Sequence, residues 1–501
     1  MRLVYLQELR DYTVEDIKSR VQGQSSVEGM PIDKGFCDRL RDAMNDDFDA
    51  TVVRGTNGKY TFDYVGLYDY VDEEKTGKNV TFFFLPKFLD WDKIEKRELA
   101  GKRDIVLKAI DRYNKEKAPL TDQVEMAERK REGLLELAVR MLRDYLENGV
   151  YVIERRELEL NGQGEIDWNA TIETFQPMIK KGRPYYMEVL TEQAFSDEDH
   201  YITRLHKCLV TVWGRKLEEL GLASVLRVNV PMLSEAELDH FGDADCQIAR
   251  IDRELGVQFV TKKRETLLLM KELIQRSTER EKAHTENLSF GMTKAEHLWE
   301  AACASVLGSE LDEQLSKFGL NADEGKTFKD LMPHVQWTNI LSKNQSFESR
   351  WRLDFIRTYP PHKAGEKVEK LVILDAKYYM VGWENKDGKW SIYGQPGIGD
   401  IAKQMFYQLA VADLREANRD LTFVNAFLFP GDDAEWKDTG NLMPVKSENV
   451  GWTREIGAFS NIHLFAVRLP GMRLFELYAN GERDVDWFKK ISGFGEAEKE
   501  T

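Results

Sequence analysis

The sequence predicts an α/β (α+β) protein with more than one domain. Its 501 residues exceed the usual size of one domain, so two or three are expected, each with its own core. Apolar runs of strand length occur near both ends of the chain, whereas the residues between them follow the period of amphipathic helices. We divide the chain into a β-rich part (1–115), a mostly helical middle part with a β-hairpin (116–288) and an α/β part (289–501).

The amino-terminal part contains short aromatic and β-branched runs broken by Gly and Asn, which indicate the hairpins of a small sheet. Its segment GTNGKYT predicts a turn, because Gly55 and Gly58 are too close together for a phosphate-binding loop. The start, MRLVYLQELRDYTVED, is too charged for a signal peptide. No apolar run approaches the roughly 18 residues of a membrane helix, so we expect a cytoplasmic protein that does not enter a membrane.

The middle part alternates helical and strand patterns. Helices are predicted from about Pro119 to Glu147, over 198–219 and over 261–285, and the last of these is so charged that we expect a solvated connector. A strand, a Gly-rich turn and a second short strand precede Asp167, which we interpret as a carboxylate that stabilises a hairpin. His200 and His206 are six residues apart on one helix and therefore cannot bind one metal from one face.

Charge and cysteine usage exclude some classes of protein. The net charge of −16 argues against a protein that coats nucleic acid by bulk electrostatics. Residues 326–403 nevertheless hold 13 Lys or Arg against 9 Asp or Glu, which leaves a local phosphate-binding surface open. No C-x-x-C occurs, so neither a zinc module nor a disulfide framework is indicated. We expect buried thiols at Cys37, Cys208, Cys246 and Cys303.

The strongest functional pattern is LVILDAK, residues 371–377. Four apolar residues followed by an acid and a lysine predict a buried strand with reactive side chains at its end. Asp375 and Lys377 would lie on one face of this strand, roughly 7 Å apart at the backbone. Asp354, in WRLDFI, lies 21 residues before Asp375. Two strands joined through RTYPPHKAGEKVEK would bring the two acids together. Two carboxylates can hold Mg²⁺, which prefers oxygen ligands, and a neighbouring lysine can orient water and neutralise charge on a phosphate.

A Gly- and Pro-rich loop and an amphipathic helix with Gln404 and Tyr407 follow this strand. In this combination the chain resembles the PD-(D/E)xK nuclease superfamily and, within it, the McrC and LlaJI-type restriction endonucleases. It departs from the superfamily pattern in having Leu353-Asp354 instead of Pro-Asp, and Asp375-Ala376-Lys377 instead of E-x-K. The segments YVGLYDYV, VTFFFLPKF, GEIDWNATI and LWEAAC also resemble LlaJI-type chains.

The resemblance implies a restriction-endonuclease-like core that hydrolyses DNA with Mg²⁺, for which Mn²⁺ can substitute. Asp354 and Asp375 would bind the ion, with the Ala376 carbonyl as a further oxygen ligand, and Lys377 would position the attacking water. Gln404 would orient Lys377 or contact phosphate, with Tyr407 packing behind it. The LWEAAC helix would contribute Glu300 to the metal site; a solvated helix face is the alternative for this residue.

The resemblance also implies a partner. McrC-like subunits act with an McrB-like AAA+ NTPase, and this chain has no Walker loop of its own, so a nucleotide-driven step would come from another polypeptide. Two other functions stay open: a non-cleaving assembly subunit that stimulates the NTPase of its partner, and a stand-alone nuclease of the same fold acting on other nucleic acids. A dimer or a higher assembly is also left open.

Overall fold

The computed structural model describes residues 3–22, 31–72, 78–91, 94–117, 133–282, 287–320, 325–333, 336–338, 345–347, 351–360, 368–387, 389–414, 420–432, 448–450 and 462–493. They form two compact units, one of residues 123–290 and the other of residues 2–122 together with 291–501. The mixture of helices and strands confirms the predicted α+β class. The three-domain division stays a prediction.

The first segment of the larger unit carries a small β-structure and three helices. The elements are β1 (Val4–Gln7), β2 (Asp11–Thr13), α1 (Val14–Val21), α2 (Lys34–Phe48), β3 (Val53–Thr56), β4 (Lys59–Phe62), β5 (Val65–Asp72), β6 (Lys78–Leu85) and α3 (Leu99–Lys117). Strand β1 pairs in parallel with β6, which pairs antiparallel with β5. Strands β2, β4 and β3 form a separate antiparallel sheet.

The GTNGKYT segment is the turn that the sequence predicts. It joins β3 to β4, with Thr56 opposite Lys59. Asn57 and Gly58 both have left-handed backbones, with φ of 53° and 74°. Left-handed residues at both central positions suit a two-residue hairpin turn, because its twist then matches that of the strands.

The smaller unit is mostly helical. Its elements are α4 (Leu134–Asn148), β7 (Ile153–Leu160), β8 (Glu165–Ile166), α5 (Trp168–Thr174), β9 (Met178–Lys180), β10 (Arg183–Tyr185), β11 (Leu190–Asp197), α6 (Tyr201–Glu219), α7 (Leu222–Leu226), α8 (Ala244–Val257) and α9 (Thr261–Lys282). Residues 118–132, the start of the first predicted helix, lie outside the described residues. The helix predicted over 198–219 is confirmed as α6.

Two interpretations in this unit are wrong. Strands β7 and β8 do not pair with each other; both pair with β11, and the tight hairpin is β9–β10. Asp167 therefore stabilises no hairpin. It begins α5, where its carboxylate accepts a hydrogen bond of 3.0 Å from the Ala170 N–H, because the first turn of a helix has unpaired donors.

The prediction of a solvated connector at 261–285 is also wrong. Helix α9 buries four side chains completely or nearly so: Leu267, Met270, Leu273 and Ile274. Their spacing of three and four residues places them on one face, which packs against α4 and α8. The charged residues cover the other faces of α9. The high charge content of the segment therefore gave no indication of its apolar face.

The two histidines have separate structural roles. His200 caps α6 through a bond of 3.3 Å from the Ile202 N–H. His206 is fully buried and accepts from the Tyr151 N–H at 2.9 Å. Burial lowers the pKa of His206 to about 4, so the ring is neutral at physiological pH.

The chain returns to the larger unit through β12 (Leu288–Met292) and continues with α10 (Ala295–Leu307), β13 (Gln336–Thr338), β14 (Gln345–Phe347), β15 (Phe355–Tyr359), β16 (Lys370–Ala376), β17 (Gly382–Lys386), β18 (Lys389–Tyr393), α11 (Ile398–Ala410), β19 (Thr422–Gly431), β20 (Glu448–Val450), β21 (Leu464–Pro470), α12 (Gly471–Asn480) and α13 (Val485–Ser492). Five strands form one mixed sheet in the order β15-β16-β19-β21-β20. Strands β16, β19 and β21 run parallel, and the two edge strands are antiparallel to their neighbours.

Strand β16 lies inside this sheet, and every residue from Leu371 to Ala376 is buried. Its continuous apolar sequence is what a strand covered on both faces requires. Helix α11 connects β16 to the parallel strand β19, and such a connection needs a crossover of this length.

The two segments of the larger unit pack against each other. Phe88 contacts Trp299 and Phe475, with ring centroids 6.4 and 5.6 Å apart. Helix α3 packs along α12, where the Arg112 guanidinium lies 4.6 Å from the ring centre of Tyr478. The amino-terminal sheet is thus joined to the same body as the five-stranded sheet.

Three of the four expected buried thiols are confirmed. Cys37, Cys208 and Cys303 are buried, but Cys246, near the start of α8, is partly exposed. It lies three residues after the capping residue Asp243, in a first turn where Ala244 is partly exposed and Asp245 is exposed. Among the described helices, none combines the length and apolar character needed to cross a bilayer.

Candidate active site

The two aspartates selected from the sequence converge at the end of β16. The antiparallel pairing of β15 with β16 sets Phe355 opposite Leu374, so Asp354 and Asp375 follow as the next opposed pair. The Asp354 Oδ2 accepts a hydrogen bond of 3.2 Å from the Ala376 N–H. The Asp375 side chain is buried, and among the described residues its Oδ1 accepts no hydrogen bond from an N–H or a hydroxyl group. The connection over 361–367 lies outside those residues.

Lys377 reaches the same place. Its Nζ lies 2.6 Å from Asp375 Oδ2 and 3.7 Å from Asp400 Oδ1 at the start of α11. Its backbone N–H donates to the Leu428 carbonyl on β19 at 2.9 Å, which fixes the strand end. The alternation of side chains along a strand therefore gives the predicted contact between Asp375 and Lys377.

The site concentrates negative charge in a poorly solvated place. Burial raises the pKa of Asp354, and the charges of Asp375 and Glu300 and a hydrogen bond with the Asp375 side chain raise it further, while Lys377 opposes them. Burial lowers the pKa of Lys377, but the charge and hydrogen bond of Asp375 outweigh it, so this pKa is raised overall. Lys377 is accordingly held as an ammonium ion, and Asp354 favours the protonated form.

Glu300 faces the site without touching its members. It is half-buried on α10, and burial raises its pKa, opposed by the charge of Lys377 and assisted by that of Asp375. The neighbouring Trp299 donates through Nε1 to the Leu428 carbonyl at 3.2 Å. This bond anchors α10 beside the end of β16, because Leu428 is the register partner of Ala376.

Gln404 is buried on α11 and directed at β19. Its Nε2 donates to Asn425 Oδ1 at 2.6 Å, and Asn425 Nδ2 donates to Gln408 Oε1 at 3.1 Å. Among the described residues Gln404 makes no hydrogen bond with Lys377, and its Oε1 has no partner. The geometry therefore does not show the predicted orientation of Lys377 by Gln404. Asn425 and Gln408 were missed, although a polar residue inside the apolar run LTFVNAFLFP is a signal for Asn425.

Tyr407 lies one turn further along α11 and packs against the segment that precedes Asp354. Its ring is fully buried against Trp351, with centroids 6.3 Å apart and the rings perpendicular. Its hydroxyl donates to the Arg352 carbonyl. Tyr407 thus contacts two residues of the segment before Asp354 and helps to fix the position of that aspartate.

The backbone at Ala376 offers one further oxygen. Within a strand the N–H and C=O of one residue point to the same side, and the Ala376 N–H points to Asp354. In the part of the chain that the structure describes, no group of three or more His, Cys, Asp or Glu could hold a metal ion. Any ion here would therefore take oxygens from two aspartates, the backbone, water and substrate.

Comparison with known proteins identifies the class to which this fold and site belong. The chain belongs to the LlaJI restriction endonuclease family, whose model matches residues 64–443. This confirms the resemblance found in the sequence, and membership in a restriction endonuclease family implies nuclease activity.

Individual relatives are more distant. The chain is 28% identical over 383 residues to the type II restriction enzyme BsuMI component YdjA of Bacillus subtilis (strain 168), covering 76% of this chain and 74% of the relative. A Thermococcus gammatolerans half-complex of McrB AAA+ hexamers with bound McrC is 14% identical, with a TM-score of 0.36, over 96% of this chain and 99% of that chain. The Thermococcus gammatolerans McrBC complex is also 14% identical, with a TM-score of 0.25, over 55% and 80%. Both TM-scores are low, so family membership rests on the sequence match.

Proposed function

We propose that this chain is the cleavage subunit of a restriction system and hydrolyses DNA phosphodiesters with Mg²⁺ at a centre of the PD-(D/E)xK type. The observation that carries the proposal is the convergence of Asp354, Asp375 and Lys377 at the end of one buried strand. The ammonium of Lys377 lies 2.6 Å from one Asp375 oxygen, and the carboxyl groups of Asp354 and Asp375 are close enough to share a hydrogen bond while Asp354 is protonated. Two neighbouring carboxyl groups that cannot easily both ionise alone can do so beside a cation.

The residues present fit a magnesium ion. Mg²⁺ is usually held by one or two carboxylates and keeps several waters or substrate oxygens, so three acidic ligands are not required. Asp354, Asp375 Oδ1 and the Ala376 carbonyl would hold it, with Glu300 near enough to influence the charge balance. Such an ion supplies polarisation of a phosphoryl oxygen and activation of water.

Lys377 contributes charge rather than basicity. Its raised pKa keeps it protonated, so it donates hydrogen bonds to an attacking water or to the phosphoryl oxygens on which negative charge develops. Asp400, 3.7 Å away, offers the ammonium a second acidic neighbour and limits its orientation. Gln404, Asn425 and Tyr407 hold α11, β19 and the Asp354 segment in register, which is a positioning role.

Cleavage of plasmid DNA tests the proposal. Wild-type protein with its restriction-system partner should cut with Mg²⁺ or Mn²⁺ and not with EDTA. Asp375→Asn and Lys377→Met should reduce the rate by at least about a thousandfold, because they remove a ligand oxygen and the charge that stabilises the transition state. The control is Lys271→Met, which removes a lysine in an ion pair of the same length, 2.6 Å to Asp252, on the other unit. Unchanged cutting by either site variant would refute the assignment.

We further propose that the partner is an McrB-like AAA+ NTPase and that the smaller unit binds it. Residues 158–187 of this unit expose nine large apolar side chains: Leu158, Leu160, Ile166, Trp168, Ile172, Met178, Ile179, Tyr185 and Met187. Exposed apolar side chains concentrated in one segment indicate a protein interface more than isolated ones do.

Co-purification with an McrB-like AAA+ protein tests this interface. Ile179→Ser with Met187→Ser should lose the complex, since they remove apolar area at the two most exposed positions of the segment. The matched control is Val257→Ser with Phe259→Ser, exposed at 65% and 87% on the same unit but outside the segment. Equal retention of the complex by both double variants would contradict the assigned surface.

A further inference from the structure

A cavity lies on the larger unit beside the end of β16, and an acidic residue, Glu8, is part of its lining. Its volume is about 740 Å³, within the range of small-molecule sites. The amino-terminal segment contributes Glu8, Arg10 and Lys87 to its lining, and the chain directly after Lys377 contributes Tyr378, Tyr379 and Met380. The proposed catalytic centre uses none of these residues.

Glu8 is the key group. It is only 3% exposed, yet it lines the cavity. Both of its hydrogen bonds are accepted by Oε2, from the Tyr378 hydroxyl at 2.7 Å and from the Lys87 N–H at 3.1 Å. Its Oε1 makes no hydrogen bond among the described residues. This oxygen is not among the fully buried atoms of the described residues, so it is accessible from the cavity and can accept a hydrogen bond from a ligand.

The remaining lining combines aromatic, apolar and cationic groups. The Lys87 ammonium lies 4.1 Å from the ring centre of Tyr378 and has no carboxylate partner among the described residues. Tyr379 and Met380 are 38% and 39% exposed, which leaves apolar surface at the cavity. Gly394 closes the wall, because a Cβ there would lie 2.1 Å from the Met380 carbonyl oxygen. A flat ring that carries an amino group at one edge and a phosphate at the other matches this set.

We infer that this cavity binds an unstacked nucleotide of the DNA substrate, whose base presents an exocyclic amino group to Glu8 Oε1 and whose phosphate approaches Lys87 and Arg10. The inference rests on the proposed nuclease function and adds a base-selective site next to it. Cytosine is the pyrimidine with such a group, and acidic side chains accept from its N4. Aromatic side chains stack on unpaired bases, and enzymes acting on DNA remove bases from the stack in this way.

The substitution Glu8→Gln tests the inference by reversing the polarity of one atom. The amide oxygen of the glutamine has to occupy the place of Oε2, because Tyr378 and Lys87 both donate there. The amide nitrogen then faces the cavity, so the acceptor becomes a donor. A base with a carbonyl at the same position, such as uracil, should now be preferred.

The measurement is fluorescence anisotropy with short single-stranded oligo(dC) and oligo(dU) in EDTA, so that no cleavage is needed, at a pH above the raised Glu8 pKa of about 7, where Oε1 is an acceptor. Wild-type protein should bind oligo(dC) about tenfold more tightly than oligo(dU), as expected for one hydrogen bond to a charged group. Glu8→Gln should reverse the order. Glu310→Gln is the control, since the Glu310 Oε2 also accepts two hydrogen bonds, both from Thr358; it should keep the wild-type order.

Equal binding of the two oligonucleotides by wild-type protein, no binding of either, or an unchanged order in Glu8→Gln would each overturn the inference. Asp375→Asn separates it from the proposed function. That variant should keep the preference for oligo(dC) while losing cleavage. A base preference that depends on Glu8, in a protein that never cuts DNA, would leave the cavity assigned and remove the nuclease proposal.

Discussion

Removing the lysine of the candidate site should unfold its surroundings locally unless a divalent ion replaces the lost charge. The perturbation is Lys377→Met, which keeps most of the side-chain volume and removes the ammonium. In the wild-type protein the Nζ to Asp375 Oδ2 distance is 2.6 Å, and the two side chains are 14% and 2% exposed. The variant leaves Asp375 buried beside Asp354 with no cation in contact.

The burial of this pair decides the magnitude. An exposed ion pair contributes at most about 1 kcal/mol, whereas removing one partner of a buried pair costs about 3–5 kcal/mol. Because the lysine keeps slight access to solvent, we expect the lower end, about 3 kcal/mol. A factor of ten in an equilibrium corresponds to about 1.4 kcal/mol, so opening of the strand should become about a hundredfold more frequent.

Hydrogen exchange of the peptide that covers Lys370–Ala376, followed by mass spectrometry in EDTA, measures this change. Addition of Ca²⁺ should restore protection in Lys377→Met, since a divalent ion offsets both carboxylates. The double variant Asp375→Asn/Lys377→Met should recover most of the protection without an ion. Lys271→Met, whose ion pair with Asp252 is more exposed, should change exchange of its own helix by less than tenfold.

Two results would refute the reasoning. If Lys377→Met exchanged like wild type in EDTA, the ion pair would not offset the burial of Asp375. If Asp375→Asn lowered protection by the same amount in the wild-type protein and in Lys377→Met, the two groups would be energetically independent.

Three further expectations follow from the same geometry. The pKa of Asp354 is raised in the ion-free protein, so Ca²⁺ binding should release a proton near neutral pH and should tighten as pH rises. Calorimetry in buffers of different ionisation enthalpy should show this proton release in the wild-type protein but not in Asp354→Asn. The same shift predicts that the ion-free protein loses stability as pH rises from the unfolded-state pKa, about 4, through the raised folded-state value, and urea unfolding should show this slope weakened in Asp354→Asn. Tyr407→Phe, which removes the donor to the Arg352 carbonyl, should cost about 1–3 kcal/mol by the same unfolding measurement and lower kcat more than it changes KM, whereas exposed Tyr393→Phe should do neither.

The sequence was informative where local periodicity alone decides geometry. The run before Asp375 could form only a buried strand, and alternation along it then required Asp375 and Lys377 to share a face. The position of Asp354 followed from one assumption, that the strands before and after the connecting loop pair with each other. The register of such a pair decides which residues lie opposite each other, here Asp354 and Asp375. Both conclusions depend only on local strand geometry and on the pairing of two neighbouring strands.

Sequence reasoning failed where tertiary packing chooses among partners. Gln404 was expected to orient Lys377 or to contact phosphate, but the docking of α11 on β19 gives its amide nitrogen a bond to Asn425, which is 21 residues away and was not selected. Asp167 was assigned to a hairpin because its neighbours have strand composition. In the structure β7 and β8 both pair with β11, and Asp167 caps the helix that follows β8. The apolar stripe of α9 was present in the sequence but was masked by its charge content.

The end of β16 connects the candidate catalytic centre with the cavity. Asp375 and Lys377 point to one side, whereas Tyr378 is held by Glu8 and lies against Phe88, with ring centroids 6.2 Å apart. Burial raises the pKa of Glu8 to about 7, whereas Lys87 and the two hydrogen bonds to Oε2 oppose this shift, so above that pH Glu8 is ionised and Oε1 acts as an acceptor. Glu8 and Asp354 are thus two buried carboxyl groups with raised pKa values beside one strand end, an arrangement that a sequence selected for stability alone would avoid. Because the bonds to Tyr378 and Lys87 involve only Oε2, Glu8→Gln should alter base preference and leave the position of Lys377 unchanged; a large loss of cleavage on every DNA sequence would instead mean that Glu8 acts by holding the strand end.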